Sequence, residues 1–296
     1  MSHVYTPLRY PGGKAKLGPF LAATFKANKL VDAAYAEPYA GGAGAALFLL
    51  FRGYASRIHL NDIDAAVVSF WRAVLNHNER FAKQIEKVPL TVREWDRQRA
   101  AYRSRGFSFD RGFAFFFLNR TNRSGIMNGG VIGGRDQSGK WKIDARFNRA
   151  QLADQIRAIG EMRRLVSVSR SDAVDFLDAL PRPQSSRILT YLDPPYFGKG
   201  SALYMNSYTA DDHADIAKRL QRFNQPWILT YDDCPEIRAL YKDFRVLDSE
   251  LSYSAREVRR GREIVVLSPG LRVPAIRLKP TKHTPGFKLL REAVSV

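Results

Sequence analysis

The segment LTYLDPPYF at residues 189–197 combines an apolar run with a carboxylate, two prolines and two aromatic rings. Its first four residues have the character of a buried strand, which Pro194 and Pro195 cannot continue because they lack a backbone N–H. The strand is therefore expected to end at Asp193. The result is a stiff turn that presents a carboxylate, backbone carbonyls to which no sheet partner donates, and the ring of Tyr196. It lies at the strand end where α/β proteins bind ligands.

A second segment with chemical potential, EPYAGGAGAA at residues 37–46, places a glycine turn between a predicted strand and a predicted helix. Gly41, Gly42 and Gly44 allow a sharp turn and let a ligand approach backbone N–H groups at the start of the helix. Taken alone, the turn is equally consistent with a purely structural role. Asp62 strengthens the case for a ligand, because it ends the next predicted strand, where a carboxylate can accept both ribose hydroxyls.

Two further motifs are less specific. YPGGK at residues 10–14 differs from an ATP-binding phosphate loop, because no strand precedes it and Ala15 stands where Ser or Thr would hold Mg²⁺. Asp172 follows the predicted strand LVSVS. It can either receive an adenine amino group or cap the helix that follows.

The elements that must position these residues alternate between strand and helix, apart from one long interruption. The pattern predicts strands at about 31–37, 56–62, 165–169, 187–193 and 226–233, with helices after most of them and a closing hairpin over 244–270. We therefore expect an α/β fold with a Rossmann-like, mainly parallel sheet, a C-terminal antiparallel hairpin and a mostly helical insertion. The predicted domains are a catalytic domain (1–75 and 165–270), a recognition module (76–164) and a basic C-terminal tail (271–296).

The charge balance indicates a polyanionic partner. The 296 residues include 47 Lys and Arg against 29 Asp and Glu, a net charge of +18. Such an excess usually marks nucleic acid, with an acidic membrane surface or simple solubility as the alternatives.

Other classes of site are disfavoured by the sequence. One cysteine, Cys234, excludes an internal disulfide, and five scattered histidines lack metal-ligand spacing, so no metal is expected. The apolar runs fall well short of the ~20 residues needed to span a bilayer. We expect a soluble, cytoplasmic protein without a membrane partner.

Five motifs in a fixed order, RYPGGK, EPYAGGAG, NDID, SDAVDFL and DPPY, resemble the Dam-like adenine-N6 DNA methyltransferases. The resemblance spans most of residues 5–268 and implies methyl transfer from S-adenosylmethionine to an adenine in double-stranded DNA. It further implies a site-specific enzyme of the kind found in restriction-modification systems. A monomer is expected, with a dimer as the alternative.

The resemblance also implies the cofactor-binding residues. They are Tyr10, Lys14, Pro38, Tyr39, Ala40, Gly41, Gly42, Gly44, Asp62, Asp172 and Asp193. By likeness to the family, the backbone from Pro38 to Gly44 wraps the methionine moiety, Asp62 takes the ribose and Asp172 faces the adenine. Tyr10 departs from the family, which usually has Trp there.

The proposed chemistry accounts for the proline turn. An adenine exocyclic amine is a poor nucleophile because its lone pair is delocalised into the ring. Asp193 and the carbonyl of Pro194 can each accept one amine N–H and stabilise the positive charge that develops on attack. Pro195 adds stiffness, and Tyr196 offers an aromatic face to a base flipped from the duplex.

The middle module is expected to recognise DNA. Its candidate contacts are Arg120, Asn122, Arg123, Arg135, Lys140, Lys142 and Arg146. Arg can bind guanine and Asn can bind adenine through paired hydrogen bonds, whereas a simpler interpretation has these residues only neutralise phosphates. The module is also expected to carry a loop or a hairpin, since QSG at 137–139 is suitable as a turn between two strands.

Two other functions remain open at this level. The same core could methylate a base in RNA, where single strands need no flipping. The chain could also be a DNA-binding protein with a degenerate methyltransferase core, although every polar group that the mechanism needs is present.

Overall fold

A computed structural model describes residues 5–9, 14–183, 186–197, 208–251, 261–274, 277–278 and 287–292. The described chain divides into two compact units. The first contains 5–9, 40–44 and 62–170, and the second contains 14–39, 45–61 and the described residues from 171 onward.

The strands follow one another along the chain in the predicted order as far as β7. The helices are α1 (Gly18–Ala27), α2 (Gly44–Phe51), α3 (Ala65–Asn76), α4 (Asn78–Lys87), α5 (Val92–Tyr102), α6 (Phe109–Thr121), α7 (Arg149–Glu161), α8 (Ala173–Ala179), α9 (Ala210–Gln221) and α10 (Pro235–Leu240). The strands are β1 (Ala34–Glu37), β2 (Ile58–Asn61), β3 (Val166–Ser169), β4 (Ile188–Leu192), β5 (Trp227–Asp232), β6 (Arg245–Leu251), β7 (Gly261–Leu267), β8 (Arg277–Leu278) and β9 (Phe287–Glu292).

The second unit is built on a sheet whose strands lie in the order β2-β1-β4-β5-β7-β6-β9-β8. β2, β1, β4 and β5 run parallel, and the remaining neighbours are antiparallel. Every residue of β1 and β4 is buried, as expected for parallel strands covered on both faces. The α/β, Rossmann-like fold class is therefore confirmed.

The antiparallel end of this sheet is longer than predicted. β6 and β7 form the expected hairpin, with Arg245 opposite Leu267 and Leu251 opposite Gly261. β9 then pairs with the free edge of β6, and β8 pairs with β9. The sequence predicted no strand past residue 270, where it indicated only a basic tail. The basic residues of FKLLRE obscured its strand character.

The first unit is mostly helical, as predicted, and its core is aromatic. Phe113, Phe116 and Phe117 of α6 are fully buried, and the Phe116 ring lies parallel to Phe70 of α3 with centroids 6.1 Å apart. A Cβ at Gly112 would lie 2.5 Å from the backbone oxygen of Ser69, so a glycine allows α6 to approach α3 closely.

The unit boundary and the predicted domain boundary differ at α3. The sequence grouped 64–75 with the catalytic strands, whereas α3 belongs to the first unit because its aromatic face packs on α6. Of the loop and the hairpin expected around QSG, the structure contains the loop. Residues 126–148, all of them described, contain no strand, and Val131 forms a single isolated bridge with Asn122.

No helix in the described part of the chain is both long enough and apolar enough to cross a membrane.

Candidate functional site

The glycine turn after β1 adopts a backbone conformation that glycine tolerates best. Gly41 has a φ of +44°, in the left-handed region. Its carbonyl accepts a hydrogen bond from the Trp71 indole at 3.0 Å, and the neighbouring Gly42 carbonyl accepts one from the Thr6 hydroxyl at 2.5 Å. The first unit thus holds the turn from two directions.

The neighbours of these glycines also have defined places. The Ala40 carbonyl accepts the N–H of Ala43 at 2.6 Å, which closes the turn, and Gly44 is the first residue of α2. In the second unit, the hydroxyls of Tyr39 and Tyr208 lie 3.0 Å apart.

Asp62 follows β2 and holds the glycine turn through backbone groups. Its two carboxylate oxygens accept the N–H groups of Gly41 and Asp64, each at 2.9 Å. Removal from water raises the pKa of Asp62 to about 6, although both N–H bonds act in the opposite direction. Each oxygen keeps a lone pair for another donor. These two acceptor oxygens fit the paired hydroxyls of a vicinal diol, such as the ribose of the predicted S-adenosylmethionine.

Asn61 connects two loops of the second unit, and sequence reasoning overlooked it. Its side-chain amide donates to the carbonyls of Pro38 at 3.0 Å and Ser171 at 2.9 Å, while its oxygen accepts the Ser171 N–H at 3.0 Å. The residue is buried, so these bonds are shielded from water. In the sequence, only the motif NDID, which begins with Asn61, drew attention to this position.

Asp172, which the resemblance assigns to the cofactor adenine, caps α8. One carboxylate oxygen accepts the Val174 N–H at 2.8 Å. The side chain is exposed and lines a groove of about 420 Å³ with Tyr208 and Ile216. The capping role is thus present, and a free carboxylate oxygen remains available to a ligand.

The proline turn after β4 begins at Asp193, as predicted. The Thr230 hydroxyl of β5 donates to a carboxylate oxygen of Asp193 at 3.0 Å, and the Tyr191 hydroxyl lies 2.7 Å from the Thr230 hydroxyl. Because Thr230 has one proton and gives it to Asp193, Tyr191 must donate to Thr230. The two hydroxyls form a buried chain that ends on the predicted catalytic carboxylate.

The residues after Asp193 are also fixed within the second unit. Pro194 is buried and Pro195 is half-buried. The Tyr196 hydroxyl donates to Glu263 of β7, and the Phe197 N–H donates to Asp232 of β5 at 3.1 Å. The Tyr196 ring is therefore held by its hydroxyl rather than left as a loose surface group.

Glu37, the last residue of β1, is a buried carboxyl that the sequence analysis did not single out. It is 5% exposed and accepts hydrogen bonds from the Tyr35 hydroxyl at 2.9 Å and the Ala46 N–H at 3.2 Å. Burial raises its pKa to about 8. At neutral pH Glu37 is mainly uncharged, so it supports the turn as a neutral acceptor.

Two predicted cofactor residues cannot be placed fully. Tyr10 lies outside the described residues, and Lys14 is described only as the first backbone position of the short 3₁₀ helix Lys14–Leu17.

The predicted DNA contacts in the first unit divide by exposure. The exposed ones are Arg123, Arg135, Lys140, Lys142 and Arg146. Arg135 forms a bidentate ion pair with Asp96, at 2.9 and 2.8 Å, and Lys142 donates to the carbonyl of Gln137. Arg120 is half-buried.

Asn122 is buried, and its side chain is already used. It accepts the Trp95 indole N–H at 2.7 Å and donates to the carbonyls of Ile126 at 2.8 Å and Met127 at 3.1 Å. These bonds assign Asn122 to the support of the loop, in place of the base contact expected from its residue type.

Comparisons with known proteins identify a family. A family model described as D12 class N6 adenine-specific DNA methyltransferase matches residues 10–255. No curated protein matches the chain.

Similar solved structures are distant. The rRNA methyltransferase aviRa from Streptomyces viridochromogenes has 13% identity over 87% of this chain and 85% of that chain, with a TM-score of 0.37. A putative RNA methyltransferase from Pyrococcus horikoshii has 10% identity over 98% of this chain and 91% of that chain, with a TM-score of 0.38. Scores of this size add nothing about the substrate.

Proposed function

The chain belongs to the D12 class N6 adenine-specific DNA methyltransferases, and on that premise we propose that it methylates the N6 amine of adenine at specific sites in double-stranded DNA. The family makes it a methyltransferase. The observation that carries the finer proposal is the DPPY turn, in which the carboxylate of Asp193 is held at the end of β4 by the Thr230 hydroxyl.

Asp193 and the Pro194 carbonyl would act as hydrogen-bond acceptors for the target amine. Accepting its two N–H groups draws the nitrogen towards tetrahedral geometry and makes its lone pair available. The same acceptors stabilise the positive charge that develops on nitrogen in the transition state. Since the prolines and Thr230 fix the acceptors before substrate binds, little reorganisation is needed.

The cofactor would be S-adenosylmethionine, which supplies an electrophilic sulfonium methyl group when bound. Asp62 would accept the ribose hydroxyls through its remaining lone pairs, and the glycine turn would offer backbone N–H groups. Asp172 would use its second oxygen for the adenine amino group.

The substrate would be duplex DNA with the target adenine flipped out. A base inside the helix cannot present its amine to a turn of this kind, so extrusion is required. The net charge of +18 and the exposed basic residues of the first unit favour a phosphate backbone as the partner.

A direct test is transfer of a tritium-labelled methyl group by purified protein to matched duplex DNA and RNA. We expect label on DNA, and expression in a methylation-free host should leave N6-methyladenine at one short sequence motif. Label on RNA alone would favour the RNA alternative. Cofactor binding measured by thermal shift, without methyl transfer to DNA or RNA, would favour a DNA-binding protein with a degenerate methyltransferase core.

A further inference from the structure

Two arginines of the first unit are held together by the segment 6–9 and the end of α6. The backbone N–H of Arg9 donates to the side chain of Asn119 at 2.7 Å, and the Asn119 amide donates back to the Arg9 carbonyl at 2.8 Å. The Arg9 guanidinium donates to the Asn122 carbonyl at 3.1 Å, and that of Arg120 donates to the Pro7 carbonyl at 3.5 Å. Both side chains are thus anchored on one small surface.

Among the described residues, these charges have no counter-ion. Arg9, Arg120 and the exposed Arg146 form no ion pair with any acid in the described ranges, whereas Arg157 is paired with both Glu79 and Glu86. The Nε atom of Arg120 is buried and has no hydrogen-bond partner in the part of the chain that the structure describes.

The electrostatics of the cluster agree with this geometry. Burial, followed by the neighbouring charges of Arg9 and Arg146, lowers the pKa of Arg120 to about 10. Burial and Arg146 also lower the pKa of Arg9. Like charges that are partly removed from water are unfavourable unless an anion joins them.

We propose that Arg9 and Arg120, with Arg146 beside them, form a preorganised site for one backbone phosphate of the DNA substrate. A guanidinium presents several N–H donors in a plane and suits the oxygens of a phosphodiester. The inference rests on the proposed function, because it takes DNA as the partner. It adds Arg9, which lies outside the recognition module predicted from sequence, and it separates this cluster from basic residues whose charges are already neutralised.

The test compares Arg120→Gln and Arg9→Gln with Arg157→Gln, which removes the same charge from a residue already paired with acids. DNA affinity is measured across a range of salt concentrations, and cofactor affinity by calorimetry. We expect each cluster variant to lose about tenfold in DNA affinity at low salt and to reduce the salt slope by about 0.9, the value for one phosphate contact. Arg157→Gln and Arg120→Lys should both keep the wild-type dependence of DNA affinity on salt.

Stability serves as the check on folding. Removing an uncompensated cation should leave the thermal unfolding midpoint unchanged or higher, so a loss of DNA affinity at unchanged midpoint supports the site. If Arg120→Gln does not fold, the comparison is made between Arg9→Gln, which removes a charge of the cluster, and Arg120→Lys, which keeps it.

Three outcomes would overturn the inference. Unchanged DNA affinity and slope in both Gln variants, with wild-type methylation of DNA intact, would remove the phosphate site but leave the proposed function standing. A loss of cofactor affinity in place of DNA affinity would assign the cluster to the cofactor's carboxylate. Wild-type protein that neither binds nor methylates DNA would defeat the proposed function and this site with it.

Discussion

The glycine turn and the proline turn each follow a buried parallel strand, and each depends on one aspartate, but the two aspartates are held differently. Asp62 accepts two backbone N–H groups, one of them from Gly41 inside the turn itself. Asp193 accepts a side-chain hydroxyl from Thr230, on the neighbouring strand β5. The first carboxylate shapes the backbone around it, whereas the second is itself positioned by a side chain.

This difference determines what each substitution should change. Loss of Asp62 removes a ligand contact and also releases the Gly41 N–H, so binding and local structure change together. Loss of Asp193 removes an acceptor at a turn whose prolines fix the backbone independently. We therefore expect a substitution at Asp193 to lower the methylation rate with little effect on folding. A substitution at Asp62 should change cofactor binding and local structure together.

The largest effect is expected at Asp193. Asp193→Ala should lower the rate of methyl transfer by ~10²- to 10³-fold or more, because it removes an acceptor for an amine whose charge is developing. Single-turnover methylation with saturating cofactor and DNA measures the chemical step, and thermal unfolding tests whether the fold is intact. Near-wild-type transfer would refute the assigned role of the DPPY turn.

Asp62→Ala should weaken cofactor binding by about tenfold to a hundredfold for each ribose hydroxyl contact that is lost, because one hydrogen bond to a charged acceptor contributes ~1.5–3 kcal/mol. Calorimetry with the cofactor gives the affinity, and DNA binding without cofactor should change little. The control is Asp64→Ala, which removes the N-cap of α3 but no predicted ribose acceptor. Equal losses in the two variants would show that Asp62 acts only through folding.

The sequence predicted those features that depend on neighbouring residues. The end of β4 just before Asp193 follows from two consecutive prolines, and the helix after β2 follows from its apolar periodicity. Features that depend on distant residues were missed. Nothing in the local sequence shows that Thr230 contacts Asp193, that Asn61 connects Pro38 to Ser171, or that the polar Asn122 is buried beneath Trp95, since each contact depends on how separate segments pack.

Glu37 provides a test of the backbone that leads into the glycine turn. Its pKa is about 8 in the folded protein, against 4.5 for an exposed glutamate. Between these values the unfolded chain is ionised while the folded protein stays protonated. The stabilising contribution is therefore complete below about pH 4.5 and is lost as the pH rises to about 8, by about 1.4 kcal/mol per pH unit.

Glu37→Gln removes this titration but keeps the acceptor for Tyr35 and Ala46. The free energy of unfolding, measured in denaturant from pH 5 to pH 9, should fall less steeply for the variant than for the wild type. Parallel pH profiles would mean that Glu37 is ionised in the folded protein and that the turn rests on a charged group.

The smallest effect is expected at Thr230, where a matched control exists on β4. Thr230→Val should lower kcat about threefold to tenfold with little change in KM, because the carboxylate of Asp193 loses a donor that orients it while the prolines still hold its backbone; a change of this size is ~0.7–1.4 kcal/mol in the activation barrier. Thr190 is equally buried, but its hydroxyl has no hydrogen-bond partner among the described residues. Thr190→Val should therefore leave kcat unchanged. Thr230→Ser should keep kcat near the wild-type value, because serine keeps the hydroxyl while removing only a methyl group.

Steady-state methylation of DNA by the three variants measures this comparison. If Thr230→Val and Thr190→Val behave alike, or if Thr230→Ser is as slow as Thr230→Val, the hydroxyl chain from Tyr191 does not position Asp193, and the proline turn depends on its backbone alone.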